Sequence, residues 1–139
     1  MEKILVSACL LGINCKYDGG NNRQEKVLKY LEDKQVIPIC PEIMGGLSTP
    51  RIGAEQLSDR VITEDGRDVT ANFKKGAEET LYLAKLFDVK KALLKARSPS
   101  CGYKKVYDGT FTHTLINRNG ETAELLKQSG IEIITEEDI

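Results

Sequence analysis

Four short apolar runs, residues 3–8, 36–39, 91–96 and 131–135, constrain the fold most, because each is too short for a buried helix and suits a strand. Helical or turn-rich sequence separates them. Strands that alternate with helices call for a mostly parallel sheet covered on both faces, since a parallel pair needs a crossover long enough to hold a helix. In residues 23–34, Val27, Leu28 and Leu31 have helical spacing, and Asn22 is available as a cap. In residues 68–87, Val69, Phe73, Ala77, Leu81 and Ala84 form one stripe behind Asp68. A third helix spans 120–128 and is closed by Gly130. Pro38 cannot donate a ladder hydrogen bond, so the second strand belongs at an edge and the expected strand order is 2-1-3-4. Residues 41–67 are irregular, with a small hairpin near 57–63, and a loop over 98–114 leads through Leu115 and Ile116 to the last helix.

The chain of 139 residues suits a single three-layer, Rossmann-like α/β domain spanning 1–139. A net charge of −1, with basic residues only in scattered pairs, argues against a nucleic-acid partner. No stretch is long and apolar enough for a membrane span. The opening MEKILVSACLLG is interrupted by Cys and Gly and preceded by one lysine, so it is taken as a core strand rather than a signal peptide, and a cytoplasmic location is expected. The glycine patterns GxGxxG and GxxxxGK[ST] are missing, which disfavours NAD or ATP despite the fold class.

In a reducing cytosol the cysteines Cys9, Cys15, Cys40 and Cys101 are expected to be free, and no CxxC pair marks a zinc ribbon or a thioredoxin-type site. Any one of them taken alone is ordinary packing filler. Three of them, Cys9, Cys40 and Cys101, fall at or just past the C-terminal ends of successive parallel strands, where open α/β sheets bind ligands. Neighbouring strands stand about 4.8 Å apart. Three thiols in that register can therefore converge on one small inorganic centre. Cys15 is the odd one out: a fourth ligand, a resolving thiol or a bystander.

Glu42, two residues past Cys40, is either a general acid or base or the carboxylate of a loop salt bridge. Gly45 and Gly46 would let the backbone come close to a ligand. Arg51 fits an anion or a planar carbonyl compound equally with a surface ion pair. The echo Lys16-Tyr17-Asp18-Gly19 and Val106-Tyr107-Asp108-Gly109 marks two Asp-Gly turns, or two related loops with Asp18 or Asp108 facing the site. His113, the sole histidine, is expected to be a loop residue.

Taken together, Ala8-Cys9-Leu10-Leu11-Gly12 with Cys15-Lys16-Tyr17-Asp18-Gly19, Cys40-Pro41-Glu42 with Gly45-Gly46 and Thr49-Pro50-Arg51, Asp68-Val69-Thr70, Ser98-Pro99-Ser100-Cys101-Gly102 and Tyr107-Asp108-Gly109 resemble the bacterial family named domain of unknown function 523. Its members include thiouracil desulfidases, some with a second domain, and this chain looks like the single-domain form. The resemblance implies a [4Fe–4S] cluster on Cys9, Cys40 and Cys101, with one iron left open to the substrate's sulfur. It implies non-redox hydrolysis of a thiolated base or nucleoside such as thiouracil, with Glu42 and Ser98 as catalytic residues. Arg51, Ser100, Asp18 and Asp108 complete the candidate set as substrate contacts. Competing expectations are a cluster or sulfur delivery protein, a thiol redox protein using Cys9 and Cys15, and a three-cysteine zinc site.

Overall fold

The computed structural model describes all 139 residues. In chain order the elements are β1 (Glu2–Ser7), α1 (Glu25–Tyr30), β2 (Lys34–Ile39), α2 (Pro41–Met44), β3 (Ala54–Leu57), β4 (Arg60–Thr63) and α3 (Thr70–Leu86). They continue as β5 (Lys91–Leu94), β6 (Val106–Tyr107), β7 (Leu115–Ile116), α4 (Glu121–Gln128) and β8 (Glu132–Thr135). Four strands form one parallel sheet in the order β2-β1-β5-β8, the arrangement that the alternating pattern and Pro38 called for. Pro38 sits opposite Val6 on the edge strand, where its missing N–H costs no ladder bond.

Period-two alternation along β1 builds both layers of core. Ile4 and Val6, with Leu93, meet Val27 and Leu31 from the α1 side, whereas Leu5 and Leu94 turn to the other face and meet Ala84 of α3 and Ala123 and Leu126 of α4. Complete burial of such side chains contributes roughly 1.5–3 kcal/mol each. Six-residue α1 is far below the length at which an isolated helix holds in water, so packing of Val27 and Leu31 is what maintains it.

Several boundaries differ from the sequence expectation. The first helix is capped by Gln24, not Asn22; the N–H of Asn22 instead donates to the Cys9 carbonyl (2.9 Å). Helix α3 begins at Thr70, and the Asp68 carboxylate accepts the Thr70 N–H at 2.9 Å. Inside the loop expected over 98–114, β6 pairs antiparallel with β7, a two-residue ladder too short to leave a periodic signal. Gly45 serves helix packing rather than ligand approach, since a Cβ there would stand 2.1 Å from the Asn72 carbonyl oxygen, and Gly46 takes the positive φ of 97° that turns the chain out of α2. Gly76 on α3 is equally crowded, with the Pro41 oxygen 1.9 Å from where its Cβ would be. The short helix that follows Cys40 is thereby laid backbone to backbone on α3.

Candidate active site at the ends of the parallel strands

The C-terminal end of the sheet opens into a cavity of about 610 Å³, within the range of small-molecule sites. All four cysteines are free and line it. Cys9 follows β1 in a 3-10 turn over Ala8–Leu11, which Gly12 closes with φ of 99°. Its carbonyl accepts the N–H groups of Gly12 (3.2 Å) and Asn22 (2.9 Å). Cys40 stands directly after β2 as the N-cap of α2, with Pro41 at the first helical position. Cys101 lies farther from its strand than expected, because β5 already ends at Leu94. A turn closed by the Gly102 N–H on the Ser98 carbonyl (2.8 Å) brings it back to the cavity. The four free thiols line one cavity, and thiolates are the donors iron–sulfur clusters use. The donor set fits such a cluster.

The thiols differ electrostatically. Cys40 is held down at about 6, first by a hydrogen bond from the Cys15 thiol, then by the Ile43 N–H and the charge of Arg51. Cys15 is pushed up because it keeps the proton it donates to Cys40, and burial adds to this. Burial raises Cys9, against the opposing effects of an Asn22 hydrogen bond and the Lys95 charge. Burial likewise pushes Cys101 up to about 12, opposed by hydrogen bonds from Ser7 and Ser100.

A directed hydrogen-bond chain leads into this cavity. Ser98 Oγ accepts the N–H groups of Ser100 (3.1 Å) and Cys101 (3.0 Å), so its own proton is free for Ser100 Oγ at 3.0 Å. The Ser100 hydroxyl is placed to donate to Glu42 Oε2 at 3.2 Å or to Cys101 Sγ at 3.6 Å, and the carboxylate is the stronger acceptor. Glu42 Oε1 in turn accepts from Arg51 Nε at 2.9 Å. Ser98, Ser100, Glu42 and Arg51 thus form one connected unit, all of it lining the cavity.

Arg51 has little left to offer a substrate. Three of its four other N–H groups bond the Ser48 carbonyl (3.2 Å), Thr49 Oγ1 (3.1 Å) and the Cys15 carbonyl (3.0 Å), and only 8% of its side chain is exposed. It is a clamp on Glu42 and on the Cys15 loop. Asp18 and Asp108 lie outside the cavity lining. Asp18 accepts the Gly20 N–H (2.9 Å) and Asp108 the Thr110 N–H (3.0 Å), the local bonding of Asx turns. Their neighbours Tyr17 and Tyr107 do line the cavity, as do Phe111 and His113, and His113 meets the Tyr107 ring edge-on at 5.8 Å. Sequence reasoning missed that aromatic wall. The signal was the Tyr preceding each Asp-Gly, one position before the residue chosen. It also missed Glu55, whose Oε1 accepts the N–H groups of Gly109 (3.0 Å) and Phe111 (3.1 Å) and fixes the wall's backbone.

With this geometry in place, the chain's relatives can be compared. A family model described as 2-thiouracil desulfurase matches residues 4–138. A Bacillus subtilis (strain 168) protein named "Uncharacterized protein YbbK" is 40% identical over 146 residues, a span covering 98% of this chain and 97% of that one. A solved structure described as the [4Fe-4S]-dependent thiouracil desulfidase TudS (DUF523Vcz) is 42% identical with a TM-score of 0.93, covering 100% of this chain and 93% of that chain.

Proposed function

The chain belongs to the 2-thiouracil desulfurase family, and from that premise we propose that it is a [4Fe–4S]-dependent desulfidase that removes sulfur from a thiolated pyrimidine by hydrolysis. One observation carries the reading: the free thiols and the Ser98–Ser100–Glu42 chain face the same cavity. Cys9, Cys40 and Cys101, each from a different strand end, would hold the cluster. Cys15 lies beside Cys40, whose Sγ is 3.9 Å from the Cys15 carbonyl, and in this reading it supports that ligand rather than serving as a fourth. When bound, a cluster held by three thiolates supplies a soft Lewis acid toward the thiocarbonyl sulfur.

The remaining chemistry belongs to side chains. Replacing C=S by C=O consumes one water, whose oxygen ends on the ring carbon while sulfur leaves as hydrosulfide, carrying one of the water protons, and the other proton is released. Glu42, oriented by Arg51 and Ser100, accepts a proton from the attacking water. Ser98 and Ser100 hold the turn that carries Cys101 and give that proton a path. Tyr107 and Phe111 offer flat apolar faces for a planar ring, which supports a base or nucleoside as substrate. The net charge of −1 does not favour a large RNA.

Turnover of 2- or 4-thiouracil in heavy-oxygen water tests the hydrolysis. Uracil carrying one heavy oxygen and sulfide in equal amount are expected. Unlabelled uracil would rule out water as the attacking group.

A further inference from the structure

Lys95 is the first residue beyond β5, at the same end of the sheet as the thiols, and its side chain lines the cavity. Its backbone N–H donates to Ser7 Oγ at 2.9 Å, so the ends of the neighbouring strands β5 and β1 are tied together beneath the Cys9 turn. The ammonium lies 2.8 Å from Glu136 Oε2 and donates to the Ala96 carbonyl at 3.0 Å. Glu136 comes from the C-terminal 3-10 turn, is 4% exposed, and accepts the Ala96 N–H at 2.8 Å with its other oxygen. An ammonium has three donors. Two are committed to these partners, and the third has no partner in the protein.

No other cation at the cavity is placed in this way. Arg51 has four of its five N–H groups committed to Glu42 and to loop oxygens, and its side chain is 8% exposed. Arg97 pairs with Glu137 at 2.7 Å with both side chains largely open to solvent, and Lys16 is 3.7 Å from an exposed Asp18. Burying a carboxylate costs several kcal/mol, and its attraction to a partner recovers that only in part. A strut between β5 and the C-terminal turn could be made of apolar side chains without that penalty. The pair therefore needs a use for its charge, and the site beside it has one. Desulfidation leaves an anionic sulfur among thiols, and Lys95 lines the cavity that holds them, tied through its backbone N–H to Ser7, two residues before Cys9.

We propose that Lys95, oriented by Glu136, holds the hydrosulfide that the reaction leaves on the Cys9 side of the cavity, donating its unspent N–H to that sulfur. This inference rests on the desulfidase reading. Sodium sulfide is titrated into anaerobic, cluster-loaded wild-type protein, Lys95→Gln, Lys95→Arg and Glu136→Gln, followed by visible absorption, with melting temperatures measured alongside. A charge-assisted hydrogen bond removed from this position should weaken sulfide binding about tenfold or more in Lys95→Gln. Lys95→Arg should retain most of the affinity, and Glu136→Gln should fall between. A purely structural pair would lower the melting temperature and leave the sulfide titration unchanged in Lys95→Gln, which overturns the proposal. If Lys95→Gln fails to fold or load, Glu136→Gln decides by the same criterion. Wild-type protein that neither binds sulfide nor desulfurates thiouracil would sink the desulfidase reading itself. Wild-type protein that does both, beside an unaltered Lys95→Gln, would sink this inference alone.

Discussion

The cavity has two walls built by different means. On one wall, ladder register does the placing: Ser7 pairs with Ile39 in adjacent parallel strands, so Cys9 and Cys40 emerge two and one residues past the same rung. On the other, placement relies on single side chains reaching distant backbone. Gln56 of β3 donates to the Pro99 carbonyl (3.1 Å) and the Asn119 carbonyl (3.0 Å), while Glu55 holds Gly109 and Phe111. A ladder shares the work over many bonds. A pin fails when one atom is lost. The ladder wall is therefore suited to holding a group that must not move, and the pinned wall to shaping what the group meets.

The comparison breaks first at the thiols. Cys9→Ala, Cys40→Ala and Cys101→Ala should each lose nearly all bound iron, whereas Cys15→Ala should keep it; iron analysis after anaerobic reconstitution reads this directly. Retained iron in one of the three would remove that residue from the ligand set. Next is Glu42→Gln, which keeps the size and the Ser100 contact but removes the base. Iron content should hold while kcat falls about 10²–10⁴-fold, the contribution of general base catalysis. Arg51→Lys should cost less, about 10–100-fold in kcat with iron retained, since Lys cannot clamp Glu42 and three oxygens with one fork.

A smaller effect separates the thiols from one another in cluster-free protein. Cys40 has its folded value lowered to about 6, so its thiolate is present at neutral pH and is lost as pH falls through that value. Cys9, Cys15 and Cys101 are raised and stay protonated at neutral pH. Iodoacetamide at pH 7 should therefore label Cys40 first, with a rate that drops below pH 6. Equal labelling of all four thiols would contradict the asymmetry. The raised thiols must also release protons to become ligands, so cluster loading should become more favourable with rising pH. The smallest effect belongs to the Asx turns: Asp18→Asn and Asp108→Asn preserve the turn acceptor and should change stability by less than about 0.5 kcal/mol and leave kcat unaltered. A large loss of activity in either would return that aspartate to the site.

The same division decides what the sequence could reveal. Strand ends follow from short apolar runs, and Pro38 placed β2 at the edge, so the ladder wall with Cys9 and Cys40 was legible from local pattern. The Ser98–Cys101 turn was legible as turn chemistry, though not that Ser98 bonds two N–H groups while Ser100 is the residue that touches Glu42. The pinned wall was not legible. Glu55 lies 54 and 56 residues from the groups it holds and Glu136 lies 40 from Ala96, and no periodicity or motif links positions so far apart. Arg51 illustrates the intermediate case. Its type suggested an anion clamp, and it is one, but the anion is Glu42 of the same chain.

In the proposed reading, three strand-end thiols hold a cluster that works with Glu42 on a thiolated pyrimidine. Anaerobic reconstitution, counting iron and acid-labile sulfide per chain and then following sulfide release from 2- and 4-thiouracil, tests it most directly. About four irons per chain and sulfide released over many turnovers are expected. Protein that binds no iron under these conditions would contradict it, and a stable cluster that turns over neither compound would point to a protein that carries a cluster or sulfur without catalysis.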